Sequence, residues 1–136
     1  MSRFGRFALA GALAALAACS GGNATDYNGN PGNNSGNPPM LPGGTPVANA
    51  SVSVADDLYS PNSVLLAAGG TVTWNWTGSN GHSVTSGSFT PNAPVSYPPT
   101  TLQVTFAITG DYQYFCTVHG ASGYGTTGMI GTVFVR

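Results

Sequence analysis

Hydrophobic and polar residues alternate in short runs through the C-terminal two thirds of the chain. In a strand, this period of two puts every second side chain on the same face. Two apolar faces result, with Val72, Trp74 and Trp76 on one and Leu102, Val104, Phe106 and Ile108 on the other. We expect these faces to form the core.

Seven such runs are predicted to be strands: Ala50–Ala55, Ser63–Leu66, Thr71–Trp76, His82–Ser86, Leu102–Ile108, Tyr112–Cys116 and Ile130–Val135. Turn-forming residues such as Gly69-Gly70 and Gly110-Asp111 separate them. Val, Ile and Thr make up 25 of the 86 residues from Ser51 to Arg136, a composition typical of strands. The pattern predicts an all-β domain of two packed antiparallel sheets.

The N-terminus has the pattern of an export signal. Arg3 and Arg6 precede an apolar run, Phe7–Ala18, which is directly followed by Cys19. The run is too short to cross a bilayer, which takes roughly 20 residues, and it suits the apolar part of a signal peptide. The segment resembles a bacterial lipoprotein signal peptide, which implies cleavage before Cys19 and lipidation of Cys19. An ordinary secretory signal is the alternative, and both predict export, to the periplasmic face of a membrane or the cell surface.

A tether is predicted between the signal and the β domain. Gly, Asn and Pro make up 19 of the 31 residues from Ser20 to Ala50, too little apolar surface to offset the entropy of ordering. As a flexible coil the segment would let the domain range on the order of 30 Å from its anchor. An extended first strand over Thr45–Ala50 is the alternative. The predicted organisation is a signal peptide over 1–18, a lipidated Cys and tether over 19–50, and a β domain over 51–136.

Charge and cysteine content narrow the function. The chain has three basic and four acidic residues, with no Lys and no Glu, which excludes a basic groove for nucleic acid. If Cys19 carries lipid, Cys116 is the one remaining thiol and has no partner for an intramolecular disulfide. In an exported protein such a thiol is expected to be buried, paired between chains or bound to a metal.

Four side chains supply candidate metal ligands. His82 and His119 are the only histidines, Cys116 lies three residues before His119, and Met129 follows ten residues after it. Two imidazoles, a thiolate and a thioether form the ligand set of a type 1 copper site, with His₂Cys in a trigonal plane and Met as a weak axial ligand. Structural zinc usually takes more Cys, and no HExxH run is present.

Residues 51–136 resemble the cupredoxins of the plastocyanin, azurin and halocyanin type. The matching segments are Tyr59–Pro61, Gly70–Trp74, Gly81–Val84, Thr105-Phe106, Gly110–Gly120 and Met129–Val133. The resemblance implies a Greek-key β-sandwich of about seven to eight strands that holds one type 1 copper and transfers single electrons. It places His82 at a strand end and Cys116, His119 and Met129 on the loop joining the last two strands.

The spacing between His119 and Met129 departs from that family. Nine residues separate them, more than is usual. Met129 is assigned as the axial ligand because Met129–Val133 matches the family's exit into the last strand, and a backbone or water oxygen is the alternative.

The same resemblance makes His119 the partly exposed ligand through which electrons pass, with Gly120 and Ala121 beside it. Because the domain carries few charges, a redox partner protein is expected to dock there through an apolar patch. We expect a monomer and no enzyme activity, since the His-x-His pairs of multicopper oxidases are absent from the sequence. The alternatives are a periplasmic copper carrier or storage protein with the same ligands, and a metal-free β-sandwich interaction module.

Overall fold

The computed structural model describes residues 39–120 and 128–136, so the predicted signal peptide, Cys19 and most of the tether lie outside it. Within these ranges the chain forms eight strands: β1 (Val47–Ala55), β2 (Leu58–Ser60), β3 (Ser63–Trp76), β4 (His82–Val84), β5 (Ala93–Ser96), β6 (Thr101–Phe106), β7 (Gly110–Gly120) and β8 (Gly128–Val135). In the same ranges no helix is long and apolar enough to span a membrane. The fold is all-β, as predicted.

The strands form one large sheet and one small one. The large sheet has the order β2-β1-β3-β8-β7, with β6 also paired to β3, and the small sheet contains β4 and β5. An antiparallel bridge between Thr85 and Phe115 links β4 to β7. This link matters for function because β4 and β7 carry the predicted metal ligands.

Strand β3 changes partners part-way along its length. Its first part, Ser63–Leu66, pairs with β8, and its second part, Gly70–Trp76, pairs with β1 and β6. Leu66 also pairs with Val47 of β1. Gly69 lies between the two parts in the left-handed region, with φ 83°, where glycine is unstrained. The sequence predicted two strands separated by a turn at Gly69-Gly70, whereas the structure has one continuous strand that pairs with different neighbours along its length.

The strand directions in the large sheet differ from the sequence prediction. The β1–β3 and β3–β8 pairs are parallel, so the large sheet is mixed and not purely antiparallel. The short strand β2 reverses the chain on one edge of β1, and β3 therefore returns on the other side in the direction of β1. Hydrophobic alternation reports which face of a strand is buried and does not report strand direction.

The first strand also begins earlier than predicted. β1 starts at Val47, within the segment assigned to the tether. Its first three residues are exposed, and backbone pairing with β3 keeps them in the sheet. This agrees with the alternative given above, an extended first strand over Thr45–Ala50.

The predicted apolar faces form the core, with one exception. Both tryptophans and most of their predicted neighbours are buried: Val72, Trp74, Trp76, Leu102, Val104 and Phe106. Ile108 is 72% exposed, because β6 ends at Phe106 and the alternation no longer applies beyond it. Trp74 lies at the centre, stacked on Phe89 with ring centroids 5.7 Å apart.

Candidate metal centre

Three of the four predicted ligands converge at one end of the sandwich. His82 opens β4, and Cys116 and His119 lie in the last part of β7. The Cys116 Sγ atom lies 3.9 Å from His82 Nδ1 and 3.9 Å from His119 Nδ1. The two Nδ1 atoms lie 3.1 Å apart. These side chains form a group whose donor atoms could hold one metal ion.

The triangle of donor atoms has the size that a transition metal requires. With sides of 3.1, 3.9 and 3.9 Å, its three corners are equidistant from a point about 2.1 Å from each. Metal–nitrogen and metal–sulfur bonds measure about 2.0 to 2.3 Å, as they do for zinc. An ion at that point would contact all three donors, and a His₂Cys plane is the arrangement that type 1 copper takes. The residues therefore fit one type 1 copper.

The three donors differ in their access to solvent. His82 and Cys116 are both 0% exposed, whereas the His119 side chain is 31% exposed. Two donors therefore lie inside the protein and the third forms the outer edge of the centre.

The surroundings of Cys116 favour its ionised form. Burial of the thiol raises its pKa, but hydrogen bonds to the sulfur outweigh that effect and lower the pKa from 9.0 to about 6. The donors are the backbone N–H groups of Ser83, Val118 and His119. Because the thiolate is the form that binds metal, the site is prepared for ligation.

Ser83 joins the two strands that carry the ligands. Its backbone N–H lies 3.4 Å from Cys116 Sγ, and its hydroxyl accepts a 2.9 Å hydrogen bond from the Thr117 N–H. The buried Tyr59 hydroxyl donates a 2.5 Å hydrogen bond to the Ser83 carbonyl. These roles were not predicted from the sequence, although Ser83 directly follows one ligand and Thr117 directly follows another.

Trp76 supports the other ligand on β4. Its indole Nε1–H donates a 2.8 Å hydrogen bond to the His82 carbonyl. The sequence predicted a core residue, which the structure confirms, but it carried no sign of this bond.

Two carboxylates lie on the outer side of the imidazoles. Asp56 Oδ1 is 3.1 Å from His82 Nε2, and Asp57 Oδ1 is 3.4 Å from His119 Nε2. The N–H groups of Asn80 and Ser79 donate to Asp56 and, together with His82, lower its pKa to about 2. Neither residue was predicted from the sequence to lie at the site. The available signal was that two of only four acidic residues are adjacent.

Met129 lies in the strand next to Cys116. It is the second residue of β8, is buried, and precedes Ile130, which pairs with Phe115. The resemblance implied a loop for Cys116, His119 and Met129, but the structure has them inside β7 and β8. The pairing of Gly120 with Gly128 extends the strands past these residues. Residues 121–127, which include Ala121, lie outside the described part of the chain.

No family model and no curated protein matches this sequence, but solved structures do. A mutant of amicyanin in its reduced Cu(I) form is 26% identical, with a TM-score of 0.54 over 71% of this chain and 97% of that chain. A novel purple cupredoxin from Nitrosopumilus maritimus is 23% identical, with a TM-score of 0.52 over 64% of this chain and 99% of that chain. The match to a copper-containing nitrite reductase from Thermus scotoductus covers only 25% of that chain, at 17% identity and a TM-score of 0.53.

The fold of this chain is that of the cupredoxins. The match spans nearly the full length of two of these neighbours. The donor atoms of His82, Cys116 and His119 lie where β4 and β7 meet.

Proposed function

We propose that this protein is a type 1 blue copper protein that carries single electrons. His82, Cys116 and His119 would hold copper in a trigonal plane, with Met129 as the weak axial ligand. The observation that carries the proposal is the donor triangle, whose size matches one metal ion and whose two imidazoles and thiolate match type 1 copper. Amicyanin, a similar structure, is recorded in a Cu(I) form.

The chain's own contribution is to hold the donors still. Copper supplies the one-electron couple when bound. Ser83 ties β4 to β7 through its hydrogen bond to Thr117, and Trp76 fixes the carbonyl of His82. Donors held by the surrounding sheet change position little between two oxidation states, and a small rearrangement permits fast electron transfer.

Electron entry and exit are proposed at His119. Its side chain is the partly exposed donor, and its neighbour Val118 is 53% exposed. A redox partner protein that docks here would contact an apolar side chain beside the ligand. Asp57 adds one negative charge at the edge of this surface, so a partner with a basic rim would be favoured.

We also propose a cellular location and an oligomeric state for this protein. Export, and attachment to the membrane through a lipidated Cys19, are supported by the N-terminal sequence pattern. We propose a monomeric electron carrier without enzyme activity of its own. The nitrite reductase neighbour shows that the fold also occurs inside a larger enzyme.

Burial of the donors favours electron transfer over copper delivery. A carrier that hands copper to a partner must expose its ligands, but His82 and Cys116 have no exposed surface. A metal-free interaction module would give no reason for two imidazole nitrogens to lie 3.1 Å apart beside a thiol.

Voltammetry of the copper-loaded protein tests this function. We expect a reversible one-electron wave and slow loss of copper to a chelator. Met129→Leu should keep the visible colour and raise the reduction potential, because a donor to Cu(II) is lost. Absence of a reversible wave, or rapid release of copper, would favour the carrier. An unchanged potential in Met129→Leu would remove Met129 from the ligand set.

A further inference from the structure

Each imidazole of the candidate centre meets a carboxylate on the side away from Cys116. His82 Nε2 lies 3.1 Å from Asp56 Oδ1, and His119 Nε2 lies 3.4 Å from Asp57 Oδ1. Both carboxylates belong to the two-residue turn between β1 and β2, which pair at Ala55 and Leu58. One turn, called here the acidic turn (Asp56-Asp57), therefore contacts the outer nitrogen of both rings.

We propose that the acidic turn is the outer shell of the metal centre: it accepts the Nε2–H of both histidines, directs both Nδ1 atoms at the metal and favours oxidised copper. The proposal rests on the proposed copper function. Groups that hydrogen-bond the far nitrogen of a metal-bound His generally fix its tautomer and ring orientation and make it a stronger donor.

The tautomer follows from the chemistry of the contact. An ionised carboxylate can only accept hydrogen bonds, and both oxygens of Asp56 already accept hydrogen bonds from the backbone N–H groups of Ser79 and Asn80. His82 Nε2 must therefore carry the proton, which leaves the Nδ1 lone pair facing Cys116. With the Nε2–H of His119 directed at Asp57, the Nδ1 lone pair of His119 faces His82, 3.1 Å away. Two lone pairs at that distance repel each other unless a cation lies between them.

Asp56 is itself held in place by the loop that leads into β4. Its two oxygens accept hydrogen bonds of 3.0 and 2.8 Å from the backbone N–H groups of Ser79 and Asn80. Gly78 allows this approach, because a Cβ there would collide with the Asp56 carboxylate. The Asp56 carboxylate thus connects the β1–β2 turn, the β3–β4 loop and the ring of His82.

Asp57 occupies a backbone position that suits glycine better. Its φ is 63°, in the left-handed region, where a residue other than Gly is strained and Asp and Asn are among the most tolerant. Asp-Gly is a common pair in turns of this length. The turn by itself would therefore accept Gly at position 57. What Asp57 adds is a side chain that contacts His119.

The distribution of charge supports an effect on redox state. Four charged side chains lie in the described residues, and Asp111 pairs with Arg136 at 2.7 Å. The other two form the acidic turn. Negative charge beside a metal stabilises its more positive oxidation state, so the acidic turn should lower the reduction potential of the centre.

Three variants of the copper-loaded full chain test the proposal: Asp56→Asn, Asp57→Gly and, as a control, Asp111→Asn. The control removes one negative charge at the opposite end of β7 from His119. We expect Asp56→Asn to raise the reduction potential and to weaken Cu(II) binding about 10-fold to 100-fold. Asp57→Gly should also raise the potential, by less because Asp57 is 69% exposed, while stability to urea stays equal or increases.

A second readout needs no copper. Long-range ¹H–¹⁵N NMR of the metal-free parent at pH 8 should show the proton of both imidazoles on Nε2. A proton on Nδ1 of His82 would overturn the proposal. So would potentials of Asp56→Asn and Asp57→Gly that shift no more than that of Asp111→Asn. If the parent itself gives no blue copper spectrum, the proposed copper function is wrong. The NMR result still decides whether the acidic turn accepts the Nε2–H of the two histidines.

Discussion

The Tyr59 hydroxyl donates a 2.5 Å hydrogen bond to the carbonyl of Ser83, whose own N–H lies 3.4 Å from Cys116 Sγ. A residue of β2 thereby controls the position of a peptide group beside the thiolate. Tyr59 is almost fully buried, so no water replaces its hydroxyl if it is removed.

Tyr59→Phe should therefore weaken both the fold and the centre. We expect a loss of about 1 kcal/mol in the free energy of unfolding of the metal-free protein, and a shift of the visible absorption band of the copper form. Urea denaturation and absorption spectra provide the measurements. Tyr112→Phe is the matched control, because its hydroxyl donates to the Ile108 carbonyl in an exposed contact and should leave the spectrum unchanged. Equal spectra for both variants would contradict the role of Tyr59.

Ser83→Ala should loosen the connection between β4 and β7. The change leaves the N–H of Thr117 without the Ser83 hydroxyl that accepts it at 2.9 Å. We expect weaker Cu(II) binding in a competition titration and a broadened visible band. Ser86→Ala is the control, since Ser86 is also buried and its hydroxyl also bonds β7, at the carbonyl of Gln113. A Ser86→Ala protein that loses as much Cu(II) affinity as Ser83→Ala would contradict this expectation.

The two tryptophans provide a comparison of the same kind. Trp76→Phe removes the hydrogen bond to the His82 carbonyl, whereas Trp74 Nε1 has no hydrogen-bond partner in the described part of the chain. Both variants lose core volume and should lose stability. Only Trp76→Phe is expected to shift the NMR signals of the His82 ring in the metal-free protein. Shifts of equal size in Trp74→Phe would show that volume alone matters.

The candidate ligands could be predicted because their side chains are rare in this chain and their spacing is distinctive. His82, Cys116 and His119 include every histidine in the sequence, and the structure brings their donor atoms together. The outer contacts of Asp56 and Asp57 could not be predicted, since they depend on how the β1–β2 turn packs against two other strands. Alternating patterns identify buried faces but do not identify partners across strands.

The fold, too, could be predicted only in part. The core positions of Trp74 and Phe106 were predictable from alternation, whereas the exposure of Ile108 depends on where β6 ends. The short strands β2 and β5 were missed because three or four residues give too little alternation to recognise. Tyr59, which lies in β2, was therefore recognised only as part of a family pattern.

Cys19→Ala tests the predicted lipid anchor. Without the thiol no lipid can be attached at this position, so the variant should be recovered in the soluble exported fraction and the parent in the membrane fraction. Cell fractionation followed by immunoblotting gives the distribution. Recovery of Cys19→Ala in the membrane fraction would contradict the anchor, and recovery of the parent in the soluble fraction would favour an ordinary secretory signal.

The most direct test of the copper centre is the absorption spectrum of the exported protein during titration with Cu(II). In the Cys19→Ala background Cys116 is the only thiol, so any thiolate-to-copper band must come from it. We expect an intense visible band that saturates at one copper per chain and disappears in the additional variant Cys116→Ser. A Cys116→Ser protein that keeps the band, or a Cys19→Ala protein that never develops one, would contradict the assignment of a type 1 copper centre.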